Sequence, residues 1–251
     1  MNDINKDFFD PKFPLLDKFR ELAPGSYKHC QNVANICEAI GAELNLNTEI
    51  LRCAALYHDI GKINNPKYFT ENQDDDNVHD RLDPFISCQL ITRHVGDGVI
   101  YLLKIPDMPS SVIEIVSQHH GDTIMQAFFN KSKNKTEDRF RYKCARPSSD
   151  EALILMIVDS VEATARSLSI SEKPNNFIKT AINGTIERLV DDNQLNAMRV
   201  GTLKLTKKIL IKELEGIYHK RVSYDKEEEN NQTILDIKKE STSEKTEKEQ
   251  I

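Results

Sequence analysis

Seven polar residues in this chain stand where the surrounding pattern asks for apolar ones: His29, His58, Asp59, His94, His119, His120 and Asp159. Each ends or interrupts a run of Leu, Ile, Val, Ala and Cys with helical spacing. Burying this many imidazoles and carboxylates unsatisfied would be costly. A fold that keeps these helices must bring the polar residues together, and a shared metal site accounts for all of them at once. Taken singly, a buried histidine is more often a core residue bonded to a carbonyl; seven such positions on several helices favour the ligand reading. Nitrogen and oxygen donors of this kind suit iron, manganese, zinc and related divalent ions, and no C-x-x-C pair offers a thiolate zinc site.

The pattern predicts an all-α domain. A first arm, residues 1–25, packs through Phe8, Phe9, Phe13, Leu15, Leu16 and Phe19. Ser26 is read as the cap of a long helix carrying His29, Val33, Ile36, Cys37 and Ile40. A second helix is expected from Thr48 to Gly61, placing the stretch L-Y-H-D-I-G-K at its end. Asp83-Pro84 opens a third helix, which ends its apolar row on His94. Further helices are expected over Val112–His120, Glu151–Leu168, Asn175–Val190 and Leu203–His219. The expected domain spans 26–224, and the Glu-, Lys-, Ser- and Thr-rich stretch 225–251 is expected to be a disordered tail.

A net charge of −6 gives no general attraction for long nucleic acid or anionic lipid. The five cysteines sit mostly among apolar helical residues, which fits a reducing, cytoplasmic setting. The longest apolar runs, such as Ala152–Val158, are too short to enter a membrane.

Within the polar set, Asp59 can use two oxygens on two ions, which makes it the expected bridge. Lys62 follows closely enough to face the same cavity and neutralise a phosphate oxygen. Arg166, two turns after Asp159 with Glu162 between, is a candidate brace or substrate contact; an ordinary helix ion pair is equally compatible. His79 lies in a polar loop, as a substrate contact or a solvent-facing residue, and His219 suits a helix end. Lys131, Lys133, Lys135, Arg139, Arg141, Lys143 and Arg146 concentrate positive charge in a segment of weak periodicity. It is read as a flap over an anionic substrate, with Arg141 on a phosphate and Phe140 or Tyr142 stacking on a base, or else as a solvated loop.

A histidine, then H-D followed by I-G-K, then a histidine, then H-H, then D resembles the HD-domain phosphohydrolases. More closely, A-P-G-S-Y at 23–27, A-A-L-Y-H-D-I-G-K at 54–62, I-T-R-H-V at 91–95, Q-H-H-G at 118–121 and D-S-V-E-A at 159–163 are similar to the HD domain of the bacterial seven-transmembrane HD receptors. Those proteins are cyclic di-AMP phosphodiesterases. The resemblance implies one iron or manganese ion on His29, His58, Asp59 and Asp159, and another on Asp59, His94, His119 and His120. It further implies that a metal-bridging hydroxide opens cyclic di-AMP to 5′-pApA. After His119-His120 the chain reads G-D-T-I-M-Q-A-F-F rather than the G-Y-P segment of cyclic di-GMP enzymes. By the same resemblance the parent protein is fused to transmembrane spans at the cytoplasmic face of the inner membrane, with homodimerisation left open. The rival readings are a hydrolase of another cyclic dinucleotide or nucleotide, and a non-catalytic nucleotide-binding module.

Overall fold

The computed structural model describes residues 4–73, 76–133, 135–171 and 176–218. Among these the chain is helical, with one isolated bridge, Ile124 to Arg141, and no strand. Eight helices build the larger unit, Met1–Leu210: α1 (Pro14–Leu22), α2 (Pro24–Leu44), α3 (Thr48–Tyr57), α4 (Pro84–Leu102), α5 (Ser110–Gln118), α6 (Gln126–Lys131), α7 (Asp150–Ser171) and α8 (Phe177–Asp191), with helical residues also over 200–210. Residues 211–218, also helical, are the described part of a second unit, Ile211–Ile251. His219 and the stretch 225–251 lie outside the described residues.

The long helices have local reasons to start and stop. Proline at the first position of α2 loses no hydrogen bond there, and Asn45 ends the helix in the left-handed region with its N–H on Ala42 O. Ser26 is therefore not the cap. It lies inside the first turn, buried, and its hydroxyl donates to Glu71 Oε1 at 2.7 Å. Asn47 caps α3 by accepting from Ile50 N, and Asp83 caps α4 by accepting from Phe85 N.

Helix α7 is the centre of the unit. Ala152 to Val158 are all buried, so beyond Asp150 and Glu151 this helix is apolar all round for about two turns and must be covered on every side. It packs on α2, α3, α5 and α8, while α4 packs on α5 and on the 3-10 turn Ile60–Asn64. From the N-terminal region Phe8, Leu16 and Phe19 are buried, and the hydroxyl of buried Tyr57 donates to Phe8 O at 2.9 Å. Burying each such ring contributes about 1.5–3 kcal/mol.

The basic segment is not an open flap. Helix α6 and the 3-10 turn Glu137–Phe140 place Phe128 and Phe140 against Cys88 of α4, flanked by Phe85, Ile91 and Phe129. Backbone bonds from Met125 N to Phe140 O (2.7 Å) and from Tyr142 N to Thr123 O (3.0 Å) close the two arms of the segment on each other. Its lysines face solvent, and its aromatics hold it down; Phe140, 1 % exposed, is part of the core rather than a base-stacking platform.

Candidate metal centre

Helix ends deliver the site. Helix α3 stops at Tyr57, His58 and Asp59 follow, and the chain turns through Ile60–Asn64. Gly61 permits that turn to press on α4: a Cβ there would lie 2.0 Å from His94 O and 2.6 Å from Gly98 N. The missing side chain brings the His-Asp pair against the helix that carries His94. His119 and His120 follow the end of α5, and His29 and Asp159 face each other from α2 and α7.

Four histidines have their outer nitrogen tied down. The Nδ1–H of His58 donates to Ala55 O at 2.7 Å, that of His94 to Ile91 O at 2.7 Å, and that of His119 to Val116 O at 2.6 Å. A carbonyl only accepts, so each proton sits on Nδ1 and each Nε2 is left to face the interior. His29 uses a carboxylate for the same purpose: its Nδ1 donates to Glu162 Oε2 at 2.5 Å, and Asn32 holds the other oxygen of Glu162 at 3.0 Å.

The inner atoms converge on two carboxylates. His29 Nε2 lies 2.9 Å and His58 Nε2 3.5 Å from Asp159 Oδ1. Asp59 faces both ways, with Oδ2 at 3.4 Å from His58 Nε2 and Oδ1 at 3.3 Å from His94 Nε2. His94 and His119 present their Nε2 atoms 3.3 Å apart, and His120 Nδ1 is 3.7 Å from Asp159 Oδ2. Two nitrogen-and-oxygen donor sets result, His29–His58–Asp159 and Asp59–His94–His119–His120, each with its ligand atoms within 4.8 Å of one another; Cys30, His58 and Asp59 form a third, overlapping group at the same spacing.

The residues fit cations. His58 Nε2 and Asp159 Oδ2 are buried without a hydrogen-bond partner, and Asp59 Oδ2 meets Lys62 Nζ at 2.7 Å as an ion pair without hydrogen-bonding geometry. Orphaned buried groups of this kind cost about 1–3 kcal/mol each, which a bound divalent ion would reverse. Burial, then His58 and His94, push His119 down to about 3; His94 and His120 are also lowered, chiefly by burial. Against the effect of burial, Lys62 and His58 hold Asp59 well below the carboxylate range, and His29 and His58 do the same for Asp159. Neutral imidazoles beside ionised carboxylates are the states that metal binding requires. His29 and His58 differ: burial lowers both, but Asp159 and Glu162 together draw His29 up to about 10, and Cys30, Asp59 and Asp159 hold His58 well above the ordinary histidine value, the response of bases held where positive charge is favoured.

A cavity of about 320 Å³ opens onto the centre, lined by Asp59, His94, Asp159, Phe69, Ile124 and Tyr142 among others. Of the residues expected to touch substrate, Lys62, Tyr142 and Arg166 line this cavity. His79 and Arg141 do not. His79 is buried and bonds through Nε2 to Tyr68 O at 2.8 Å, packing its ring on Phe128; it locks a loop instead of facing solvent or the cavity. Arg141 turns away, donating to Asp122 O and Asp192 Oδ1, both at 2.8 Å. Tyr142 lies over His120 with ring centroids 4.3 Å apart. Arg166 faces Glu71 Oε2 at 3.9 Å rather than Glu162.

Glu71 is the residue sequence reasoning missed. Its Oε1 takes Lys62 Nζ at 2.7 Å as well as the Ser26 hydroxyl, so it ties the loop after α3 to the start of α2. Burial would raise its pKa, and Lys62 overrides that, holding it at about 2. Nothing in the Asn- and Asp-rich stretch around it announces a buried carboxylate.

The family model for the HD domain matches residues 26–164, more than half the chain. This chain belongs to the HD-domain family. Its HD domain is 37% identical over 223 residues to the cyclic-di-AMP phosphodiesterase PgpH of Bacillus subtilis (strain 168), and 38% identical over 222 residues to the PgpH of Listeria monocytogenes. Each alignment takes in 86% of this chain but only 31% and 30% of the relative, so the chain spans about a third of those proteins' length. An uncharacterised protein of Synechocystis is 31% identical over 230 residues. The crystal structure of the L. monocytogenes PgpH HD domain superposes with a TM-score of 0.77 at 38% identity, covering 82% of this chain and 99% of that one; the same domain in complex with cyclic di-AMP gives 0.76. The all-α HD fold expected from the sequence is the fold observed. Membership of the HD family implies divalent-metal binding, and the two His/Asp sets supply donors for it. Among the described residues no helix is long and apolar enough to cross a membrane.

Proposed function

We propose that this HD domain is a metal-dependent phosphodiesterase that hydrolyses cyclic di-AMP to 5′-pApA. The observation that carries the reading is Asp59, whose two oxygens face two histidine sets at 3.3 and 3.4 Å. It is supported by the relative of 38% identity whose HD domain is solved in complex with cyclic di-AMP. His29, His58, Asp59 and Asp159 would hold one ion, and Asp59, His94, His119 and His120 the other; iron or manganese suits an all-nitrogen-and-oxygen set. Bound there, the ions would supply an activated water and neutralise charge on the attacked phosphoryl group.

The chain's own residues do the rest. Outer bonds on Nδ1 fix the direction of the four imidazoles, so no reorientation is needed when a ligand arrives. Phe69, Ile91, Ile124, Met125 and Tyr142 give the cavity an apolar wall for a nucleobase and keep water from the reacting phosphate. Lys62, only 12 % exposed, is held by Asp59 and Glu71 at the cavity edge, where its ammonium can take charge that develops on a phosphate oxygen. In the parent protein we place this domain on the cytoplasmic side of a membrane-anchored receptor.

Protein purified without oxygen, loaded with Fe(II) or Mn(II) and incubated with cyclic di-AMP should yield pApA, read by chromatography. Absence of product with both metals overturns the reading, and faster cleavage of cyclic di-GMP in the same assay would reassign the substrate. Lys62→Ala should keep its metal content, measured by elemental analysis, while kcat falls by about 10²-fold, the usual cost of removing one donor to developing charge. Loss of metal in parallel with activity would show Lys62 to be a structural partner of Asp59 instead.

A further inference from the structure

The metal-side cavity adjoins a second, more open one of about 590 Å³, lined by Gln126, Phe129, Glu137, Asp191 and Asp192 among others. Ile124 and Arg188 line both. Three Lys or Arg side chains border the first cavity, and two are committed: Lys62 to Asp59 and Glu71, and Arg166 to Glu71. Arg188, on α8, makes no ion pair among the described residues. Its neighbour Asp192 is already taken by Arg141 at 2.8 Å. Arg188 is exposed, yet neighbouring atoms desolvate it enough to lower its pKa against the pull of Asp192 and Asp159, so its guanidinium feels carboxylates of both cavities.

Resting on the reading of this chain as a cyclic-dinucleotide phosphodiesterase, we propose that Arg188 is a substrate-positioning residue whose guanidinium binds the phosphate that is not being cleaved, at the junction where the second nucleoside passes into the adjoining cavity. A cyclic dinucleotide carries two phosphodiesters, and only one can sit at the metal centre. The other must lie near Asp59, Glu71 and Asp159, where an uncompensated anion is repelled. A guanidinium fork matches a phosphate in shape and charge, and of the three only Arg188 is in no ion pair among the described residues. The first cavity, at about 320 Å³, is at the lower limit for a ligand site and too small for two nucleosides, so the second half needs the space beyond Arg188. The lining there is acidic on balance: Arg141 is engaged by Glu137 at 3.2 Å and Asp192 at 2.8 Å, and Glu187 and Asp191 add further carboxylates, which would repel phosphate but accept the N–H donors of a base amine. Both preferences put the phosphate at Arg188 and the base past it.

The test compares two substrates on metal-loaded wild type, Arg188→Gln and Arg188→Lys: cyclic di-AMP, and bis(p-nitrophenyl) phosphate, which has a single phosphodiester. For Arg188→Gln the KM for cyclic di-AMP should rise by about 10-fold or more, with kcat within roughly threefold of wild type and metal content unchanged. Its kinetics on bis(p-nitrophenyl) phosphate should match wild type, and Arg188→Lys should recover much of the lost KM. Unchanged KM on cyclic di-AMP, or equal loss on both substrates, overturns the role of Arg188 while the activity stands. A wild type that cleaves bis(p-nitrophenyl) phosphate but no cyclic dinucleotide overturns the underlying function instead.

Discussion

Asp59→Ala should empty both metal positions and lower turnover by at least roughly 10³-fold, while the helices remain. No other side chain in the centre offers separate oxygens to His58 and His94. Without it the set containing His94 keeps only imidazoles, and the set containing His58 keeps Asp159 as its one carboxylate. The fold should survive, because Lys62 retains Glu71 at 2.7 Å and a buried anion is removed rather than introduced. Elemental analysis, circular dichroism and the pApA assay on the same preparation separate these effects. Asp59→Asn, of the same shape, should lose metal as well, since an amide is a poor bridge between two cations. Full metal occupancy in either variant would remove Asp59 from the centre.

Gly61→Ala should damage both stability and the site, by a different route. The added methyl would meet His94 O and Gly98 N, backbone atoms of α4 that have no rotamer through which to yield. Overpacking of this kind costs about 1–3 kcal/mol, and for a domain of this size each kcal/mol lowers Tm by roughly 2–4 °C. Because the displaced segment carries His94, activity and metal affinity should fall further than unfolding explains. Gly96→Ala is the control: it lies on the same helix with nothing within 4 Å of its Cβ, and should be stabilised by about 1 kcal/mol through helix propensity alone. Equal melting temperatures for the two variants would contradict the close approach at Gly61.

The centre was legible because its ligands break apolar stripes. His29, His58, His94 and Asp159 each sit on the inward face of a helix, and the pattern that marks that face also marks the intruder. Glu162 needed one step more: it lies one turn from Asp159 on the same buried face, and the structure spends it on His29 rather than on Arg166. Glu71 and Arg188 left no such trace. The first is in a stretch without periodicity, and the second is an exposed cation on a helix whose other face packs, so only the three-dimensional path reveals what they border. Ser26 was misjudged because hydroxyl caps are common; Pro24 two residues earlier was the stronger signal. The basic segment looked structureless because Phe128, Phe129 and Phe140 are too widely spaced for one helix, although they meet on Cys88.

The hydrogen bonds of His29 to Asp159 and Glu162 join residues 130 and 133 positions apart. Contacts of that span are slow to form, since the loop they close carries its entropy cost before any return. During synthesis from the N-terminus, His58 and Asp59 leave the ribosome long before α7 exists to complete their set. The set built on Asp59, His94, His119 and His120 needs no residue of α7, whereas the set of His29, His58 and Asp159 is completed only when the fold closes around α7, so the two positions would fill at different moments of synthesis.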